Sequence, residues 1–547
     1  MTPPGRGVRS PHRTRTLARM AAGATVAVIA LWSIRVLFLP LGFDQGEFVW
    51  VGDIIRHGGL PYRDAWDTKG PLAYYLGALA RVLFGRNEWG VRAFDLLVFF
   101  AGLKGVAVLA RRWGGDRAVA LSACGVLALR YATLDYNNTA QPDGWAAVIL
   151  VGAALALSGD SRRAAGRLAR FVLAGALIGA TTLVKPTYGL FLLAPAAYAA
   201  AEWSTSGGDP KRHRRLAAAT LATGVGFAVT IAGAVLWFAA HGALDAFLDV
   251  HLRWTTAVYA GTGTPWLLRV VEIATTWLAG PFAITLPFVV VGAVTLWARR
   301  RAAACYTLAW LLAAVANTAV QGKFFLYHWL PLYAPHALLA GFGLAACYQA
   351  ARRDETTDAT ATDLAAGRTS PVRVLYLAAA GVLWCSIALG PVYDLYRWAK
   401  AELRSQTRVA YWQREFGLDG WQPDSWHGIE RYIVARTRAG DPVLLLGGNP
   451  GRLAIADRRF PGRFGIALPL ILGEGTPARD AYRREFLEAL RATPPVYVVR
   501  ARPDVCESER WAGYHCVRDF PELDSLLARD YHAETVIAGR DLLRRNR

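Results

Sequence analysis

The sequence predicts a polytopic α-helical membrane protein that carries a small α/β domain outside the membrane. Hydrophobic residues make up 54% of the 547 residues before glycine is counted, whereas soluble proteins have about 45–50% with glycine included. Mean hydropathy is +0.25, and only 19% of the residues are charged. Apolar stretches of membrane-spanning length recur up to residue 394 and then give way to short runs. These features exclude disordered, fibrous and disulfide-framework chains, and also an ordinary soluble enzyme.

The first predicted span covers residues 20–40 and follows a basic cytoplasmic segment at 1–19. A cleaved signal peptide is the alternative for this stretch. The residues that follow, Pro40 to Phe43, do not form a small-residue cleavage site. We therefore expect a retained helix whose arginine-rich N-terminal end lies inside the cell.

Further apolar stretches follow, and together with the first they predict about eleven transmembrane helices. They cover residues 91–110, 117–134, 143–158, 169–184, 187–202, 216–240, 270–297, 302–319, 327–350 and 373–394. The resulting membrane domain extends over residues 20–398.

The net charge of +20 indicates how these spans are oriented. Arginine and lysine collect in the cytoplasmic loops of membrane proteins. With the N-terminus inside, the basic clusters at 111–117, 159–168, 203–215, 298–301 and 351–372 all fall on the cytoplasmic side. A nucleic-acid partner is not expected, because the charge is divided among short loops and forms no continuous basic face. We expect a multi-pass protein of the cell membrane.

The first external loop, residues 41–90, is predicted to hold two surface helices. One covers 47–57 and carries charged residues, and the other covers 70–85 and is short for a span. The charge pattern requires that neither helix crosses the membrane. Both are therefore expected to lie in the membrane interface as amphipathic helices.

The C-terminal region, residues 399–547, is predicted to be a small extracytoplasmic α/β domain. Its apolar runs shrink to strand length, and charged helical patterns at 426–438 and 478–492 separate them. The predicted strands are Val443–Leu446, Val496–Val499 and Thr535–Ala538.

Two further features belong to this external domain. Cys506 and Cys516 are ten residues apart outside the membrane, where a disulfide is expected. The glycine-rich segment 447–451 follows a predicted strand. It lacks the spacing of a nucleotide-binding loop, so a turn is expected there.

The first candidate site feature is Asp44, which falls just beyond a predicted membrane helix. A carboxylate at this boundary can act as a general base or bind a cation. The alternative is that Asp44 only caps the surface helix that follows.

Two more polar segments are predicted at the same outer face. Gln141 and Asp143 stand at the start of one span, where Asp143 has the alternative role of a helix cap. Lys323 and His328 stand at the start of another, with the alternatives of an interfacial lysine and a buried core histidine. Lysines at headgroup depth suit a phosphate, and carboxylates suit a base or a divalent cation. Transfer from a lipid-linked phosphate donor requires both kinds of group.

Residues 43–76 resemble the first periplasmic loop of the GT-C glycosyltransferases. The resemblance rests on Asp44–Glu47, on Gly58–Asp64 and on Trp66–Leu72. It is greatest with the bacterial protein-mannosyltransferase-like family, which includes the aminoarabinose transferase of lipid A and the lipopolysaccharide-core galacturonosyltransferases. The resemblance implies the GT-C fold and a sugar-transfer reaction.

The resemblance also implies residue roles. Asp44 matches the catalytic carboxylate of the family, and Gln45 stands where the family usually has a second acid. Lys69 matches the lysine that contacts the lipid phosphate, while Thr68 and Gly70 replace the family's usual His or Glu and Pro beside it.

Other matches lie further along the chain. Gln141–Asp143 resembles the second outer-loop motif, which is normally acidic-Pro, and Lys323–Pro335 resembles a late stretch in which Lys323 is a second phosphate-binding lysine. A divalent ion held by Asp44 and Asp143 is the metal-site hypothesis. The supporting residues expected around these groups are Glu47, Tyr62, Arg63, Asp67 and His328.

The predicted function is transfer of a sugar from a polyprenyl-phosphate donor to a hydroxyl of an envelope lipid, glycan or protein. A transporter or flippase for polyprenyl lipids or envelope glycans is the alternative. Paired repeats and midplane charges, which are frequent in transporters, are not evident here. A scaffold built on the external domain is a third reading, and it leaves Asp44 and Lys69 unexplained.

Overall fold

The computed structural model describes residues 33–132, 134–159, 164–204, 210–278, 282–357, 396, 399–400, 423–503, 506 and 516–547. The basic N-terminal segment, most of the predicted span 20–40 and the predicted span 373–394 lie outside the described residues.

The described membrane part is helical. Its α-helices are α1 (Phe43–Arg56), α2 (Pro71–Phe84), α3 (Gly90–Arg112), α4 (Arg117–Ala132), α5 (Pro142–Ser158), α6 (Ala164–Thr182), α7 (Leu193–Ser204), α8 (Pro210–Ala240), α9 (Leu244–Leu248), α10 (Trp266–Leu278), α11 (Leu286–Arg299), α12 (Arg301–Gln321) and α13 (Leu330–Thr357). Short 3₁₀ segments at Pro186–Leu192 and Leu326–Trp329 precede α7 and α13, and a π-helix at Asp249–Tyr259 follows α9.

Glycines allow the long helices to pack closely. A Cβ at Gly175 of α6 would lie 1.9 Å from the carbonyl oxygen of Thr223 of α8. Reciprocally, a Cβ at Gly226 of α8 would lie 2.0 Å from the carbonyl oxygen of Val172. Such contacts let two backbones touch, which is how membrane helices associate without a hydrophobic driving force between them.

Four described helices are long and apolar enough to cross a membrane, and a bent pair raises this number to five. The four are Gly90–Arg112, His213–Ala240, Arg301–Gln321 and Leu326–Ala350. The bent pair occupies the predicted span 270–297, which is not a single helix: its two parts meet at 63°. The sequence Gly280-Pro281 stands between them, and proline cannot continue a helix. About eleven spans therefore remains a prediction.

The two predicted helices of the first external loop are present as α1 and α2. They pack against each other through glycine, because a Cβ at Gly77 would lie 2.5 Å from the carbonyl oxygen of Phe48. This contact makes the loop a compact unit instead of a flexible connection. The charged groups of α1 are thereby held in fixed positions.

The C-terminal region contains a four-stranded sheet with the order β1-β2-β4-β3. Its strands are β1 (Val443–Leu446), β2 (Tyr497–Ala501), β3 (Tyr531–Ile537) and β4 (Arg540–Arg545). β1 and β2 are parallel, and the other pairs are antiparallel. Its helices are α14 (Pro423–Val434), α15 (Pro450–Ile455), α16 (Leu468–Ile471), α17 (Pro477–Ala492) and α18 (Pro521–Asp530).

The predicted α/β character of this region is confirmed, although the strand positions differ in part. β1 has the predicted bounds, whereas β3 begins four residues before the predicted Thr535. β4 was not predicted, because its apolar pair Leu542 and Leu543 is flanked by charged residues and is too short to stand out as a strand in the sequence. The predicted disulfide is present between Cys506 and Cys516.

The C-terminal domain, which we call the external domain because the sequence predicts that it lies outside the membrane, packs directly on α1. A Cβ at Gly46 would lie 1.8 Å from Asn449 Oδ1, and a Cβ at Gly451 would lie 2.5 Å from Gly46 Cα. Asn449 Nδ2 donates a hydrogen bond to the carbonyl oxygen of Gly42 at 2.9 Å. The glycine-rich segment 447–451 is thus a docking loop, and it fixes the first turn of α1.

A second set of contacts joins the external domain to the rest of the first loop. The backbone N–H of Trp66 donates to the carbonyl oxygen of Arg463 at 2.7 Å. In turn, Arg463 Nη1 donates to the carbonyl oxygen of Tyr62 at 2.9 Å. The rings of Trp50 and Phe460 lie 5.3 Å apart. The first loop is therefore enclosed between the membrane helices and the external domain.

Candidate functional site

Asp44 lies in the first turn of α1, but it is not the helix cap. The N-cap is Gly42, which has no side chain to serve as a cap. Asp44 Oδ2 instead accepts a hydrogen bond from Gln141 Nε2 at 3.1 Å. The capping alternative is therefore wrong, while the N-terminal end of α1 still favours the negative charge.

The ammonium group of Lys69 lies between two carboxylates of α1. Lys69 Nζ is 2.5 Å from Glu47 Oε2 and 3.6 Å from Asp44 Oδ1. The backbone of Lys69 is also fixed: the Tyr62 hydroxyl donates to its carbonyl oxygen at 2.7 Å, and its N–H donates to the Tyr74 hydroxyl at 3.1 Å. The predicted neighbours Asp44, Glu47, Tyr62 and Lys69 therefore form one arrangement.

Asp67 adds a third carboxylate to this cluster. It is buried, and its Oδ1 accepts the N–H of Thr68 at 2.5 Å. Burial lowers the pKa of Lys69, but the carboxylates of Asp44, Asp67 and Glu47 outweigh it, so the pKa stands well above its usual range. Lys69 consequently stays protonated at any physiological pH.

Gln45 faces away from this cluster, toward the loop before α5. Its Nε2 donates to the carbonyl oxygens of Tyr136 at 3.2 Å, Asn137 at 3.1 Å and Thr139 at 2.7 Å. An amide supplies donors that a carboxylate lacks, so glutamine suits this position. The second acid near Asp44 is therefore Glu47 in place of residue 45.

Arg92 of α3 supports the same loop from the opposite side. It is fully buried, and its Nη2 donates to the carbonyl oxygens of Pro40 at 2.6 Å and Tyr136 at 2.7 Å. Arg92 therefore ties the entrance of α1 to the loop that carries Gln141. The signal for this role was a lone arginine near the start of an apolar span.

Asp143 forms a second, tighter ion pair. Lys185 Nζ lies 2.7 Å from Asp143 Oδ1, and the Tyr188 hydroxyl donates to the same oxygen at 2.5 Å. Lys185 is not among the site residues predicted from the sequence. Its signal was the charged Lys185-Pro186 step at a helix break, which is a functional hypothesis by default inside a membrane protein.

The third predicted segment joins the other two through Tyr327. Its N–H donates to Asn138 Oδ1 at 3.0 Å, and its ring lies 5.5 Å from Lys185 Nζ. Asp44, Asp143 and Glu47 all lie within electrostatic range of its hydroxyl. The three polar segments identified in the sequence therefore meet at one site.

Lys323 lies at the edge of this site and contacts Thr262 and Tyr259. Its ammonium donates to the carbonyl oxygen of Thr262 at 2.8 Å and to the Thr262 hydroxyl, and it lies 4.6 Å from the centre of the Tyr259 ring. Burial, and then Arg269, lower the pKa of Lys323 to about 8. The expected role of Lys323 as a second phosphate-binding lysine stays a prediction, and Lys185 adds a further ammonium group to the site.

The remaining predicted residues have supporting positions. Arg63 Nη2 binds Asp64 at 2.7 Å on the surface of the loop, away from Lys69. His328 is buried, and its ring packs 4.6 Å from that of Tyr327. The core-histidine alternative accordingly describes His328 better than a role in binding.

Asp44 and Asp143, which were predicted to share a metal ion, are both engaged by other groups in the structure. A cation there would compete with the ammonium of Lys185, which already holds Asp143 Oδ1. Asp44 Oδ2 already accepts a hydrogen bond from Gln141 Nε2. A metal ion that used this oxygen as a ligand would have to displace that donor. The site as it stands combines one accessible carboxylate with two fixed ammonium groups.

A sequence model of the dolichyl-phosphate-mannose-protein mannosyltransferase family matches residues 68–237. No match was found among curated proteins. The structure of ArnT from Cupriavidus metallidurans in the apo state is similar with a TM-score of 0.58 at 16% identity, covering 96% of this chain and 98% of that chain. The same protein bound to undecaprenyl phosphate gives a TM-score of 0.58 at 15% identity, with the same coverage.

The archaeal oligosaccharyltransferase AglB from Archaeoglobus fulgidus, in complex with an inhibitory peptide and a dolichol-phosphate, matches with a TM-score of 0.47 at 15% identity, covering 96% of this chain and 74% of that chain. The family model and the ArnT fold confirm the predicted resemblance to the GT-C glycosyltransferases, and the family model overlaps residues 43–76 from residue 68 onward.

Proposed function

We propose that this protein is a membrane glycosyltransferase that moves a sugar from a polyprenyl-phosphate donor to an acceptor hydroxyl on the outer face of the cell membrane. The acceptor is an envelope lipid, glycan or protein. The observation that carries the proposal is the position of Asp44, a partly exposed carboxylate beside two fixed lysines. The ArnT fold and the family model support the same reaction class.

Asp44 acts as the general base in this proposal. Its Oδ1 lies 3.6 Å from Lys69 Nζ, beyond hydrogen-bond distance, and its side chain is 23% exposed. An acceptor hydroxyl can therefore reach this oxygen and give up its proton as it attacks the sugar. Direct displacement of the phosphate by the hydroxyl inverts the anomeric carbon.

The lysines bind the donor phosphate and stabilise the charge that develops on it as it leaves. Lys69 uses one N–H on Glu47, which leaves its other donors for a ligand. Lys185 and Lys323 offer further positive charge, and all three lysines lie within electrostatic range of His328. Fixed cations at a leaving phosphate lower the barrier because they need no rearrangement during the reaction.

Two parts of the proposal rest on the sequence. A topology with the N-terminus inside and the external domain outside follows from the basic loops. A divalent cation at Asp44 and Asp143 stays a prediction that metal titration tests, and no step of the mechanism depends on it.

The test is sugar transfer by the purified protein in lipid, with a panel of polyprenyl-phosphate sugars. Wild type and Asp44→Asn are compared, and Asp64→Asn is the matched control because Asp64 lies in the same loop on the surface with Arg63. We expect release of polyprenyl phosphate by wild type and Asp64→Asn, and almost none by Asp44→Asn. Equal activity of all three proteins would place the base elsewhere.

The alternative function is a flippase for the same lipids. It predicts that the folded wild type binds the donors and turns over none of them across a broad acceptor panel. Movement of a labelled lipid between leaflets of a vesicle, unaffected by Asp44→Asn, would favour this alternative.

A further inference from the structure

A second polar cluster lies where the external domain meets the loop between α2 and α3. Glu88 comes from that loop, and His427 and Glu430 come from α14. Their ligand atoms all lie within 4.8 Å of one another, and each side chain is partly exposed.

The spacing of these atoms suits one small metal ion. His427 Nε2 is 3.3 Å from Glu88 Oε1, and His427 Nδ1 is 4.0 Å from Glu430 Oε2. Ligands bound to one tetrahedral Zn²⁺ at about 2.0–2.2 Å lie about 3.4 Å from each other. Only small side-chain movements separate the observed arrangement from this geometry.

Unused oxygens give an independent reason to expect a ligand. Glu88 Oε2 and Glu430 Oε2 are both buried, and neither has a hydrogen-bond partner. Buried acceptors without donors are costly and call for an explanation, such as an ion. Arg452 pairs with Glu88 and lies 3.6 Å from Glu430 Oε2, so it offsets only one of the two negative charges.

We propose that Glu88, His427 and Glu430 bind a divalent transition-metal ion of the zinc class. One imidazole with two carboxylates matches the ligands of Zn²⁺, whereas Ca²⁺ and Mg²⁺ prefer all-oxygen sites. This site is separate from Asp44 and does not take part in sugar transfer.

The position of the site gives the ion a structural task. Its ligands come from both sides of the junction, so the ion joins the external domain to the membrane part. Arg452 belongs to α15, which packs on α1 next to Gly46. Metal binding therefore stabilises the docked domain that holds the first turn of α1 in place.

A proton on His427 is the competing explanation, because an imidazolium would also balance the charge. It predicts stabilisation that grows as the pH falls through the usual pKa range of histidine, about 6.5, and that needs no metal. A metal predicts the reverse, because protons displace it from histidine at low pH.

The test is zinc binding by the full-length protein after chelator treatment in detergent. Bound zinc is counted by mass spectrometry after gel filtration, and the unfolding temperature is measured with and without Zn²⁺ at pH 7.5. All measurements are made on an Asp44→Asn background, so that zinc at the proposed active site is not counted. The variants are His427→Ala and Glu430→Gln, and the matched control is His532→Ala, which removes an exposed histidine of the same domain that contacts Asn546.

We expect a single zinc equivalent and a higher unfolding temperature for the background protein and for His532→Ala. Both effects should be absent in His427→Ala and in Glu430→Gln. Glu430→Gln keeps the size of the side chain, so it distinguishes a lost ligand from a misfolded domain. Failure of the background protein to bind zinc, or equal binding by Glu430→Gln, overturns the proposal, as does stabilisation that follows pH without metal. Sugar transfer by Asp44-intact protein tests the proposed function separately.

Discussion

Two lysine–carboxylate pairs lie in the same outer site, and they differ in how completely the carboxylate is used. Asp143 Oδ1 is 2.7 Å from Lys185 Nζ, accepts a second hydrogen bond from Tyr188, and belongs to a side chain that is 3% exposed. Asp44 Oδ1 is 3.6 Å from Lys69 Nζ, and its side chain is 23% exposed. Asp143 is closely paired and almost fully buried, whereas Asp44 keeps an oxygen for a ligand.

This difference supports the proposed division of roles, a structural one for Asp143 and a reactive one for Asp44. Asp143 holds the Lys185 ammonium near Tyr327, where it contributes positive charge to the site. Asp44 stays available because Glu47 takes the closest contact with Lys69. Glu47 thereby keeps Lys69 from closing on Asp44.

The largest effect is expected for Asp44, the proposed general base. Asp44→Asn keeps an acceptor for Gln141 but cannot take a proton, so turnover should fall about 10²–10⁴-fold, the usual contribution of a general base. Donor binding should change little. Initial rates at saturating donor check this, and a loss confined to the KM of the donor would contradict the assigned role.

The second prediction concerns Asp143, the closely paired carboxylate. Asp143→Asn leaves the Lys185 ammonium without its counter-charge, and breaking a buried pair costs about 3–5 kcal/mol. The free energy of unfolding should therefore fall by about this amount in denaturant titrations. The control is Asp245→Asn, which breaks a pair with Arg253 of the same 2.7 Å length. The side chains of Arg253 and Asp245 are 60% and 83% exposed, so this substitution should leave the free energy of unfolding almost unchanged. Equal losses in both variants would remove the distinction between the two sites.

The third prediction concerns a variant in which the pair of Lys69 with Asp44 should become as close as that of Lys185 with Asp143. Glu47→Gln removes the charge closest to Lys69, so the ammonium should move toward Asp44 and form a tight pair like that of Asp143. We expect turnover to fall about tenfold, which corresponds to about 1.4 kcal/mol, while the protein remains folded. The double variant with Asp44→Asn should lose little beyond Asp44→Asn alone. Additive losses would show that Glu47 acts independently of Asp44.

The smallest expected effect concerns Lys323 at the edge of the site. Its pKa is lowered to about 8, so its positive charge is present below that pH and is lost as the pH rises through it. The KM for the donor should therefore rise a few-fold between about pH 7 and pH 9. Lys323→Arg, which stays charged, should flatten the profile. An unchanged profile in Lys323→Arg would show that another group controls the pH dependence.

Much of the site could be predicted because its motifs are local. Asp44, Glu47 and Lys69 fall within one loop, and the first-loop pattern identified them together. The helices α1 and α2 follow from apolar segments too short to be paired spans. The external α/β region follows from the change to strand-length apolar runs.

Other parts of the site depend on which way side chains point. Gln45 adjoins Asp44 in the sequence, yet its amide reaches a loop more than ninety residues away. Lys185 is not among the predicted site residues, yet its ammonium pairs with Asp143 and lies near Tyr327. The Lys185-Pro186 step marks a helix break in the sequence, but only the packing of the 3₁₀ segment Pro186–Leu192 shows which carboxylate the lysine reaches.

The sequence by itself determined the class of protein, the two helices of the first loop and the α/β character of the C-terminal region, and it led to the proposal that Asp44 is the reactive carboxylate. These follow from composition, hydrophobic period and short motifs, which act over a few residues. Only the tertiary structure decided that Asp143 is the closely paired carboxylate, that Lys185 is its partner, and how segment 447–451 fixes α1. Those outcomes depend on contacts between residues far apart in the chain, where a difference of about one ångström separates an ion pair from an open acceptor.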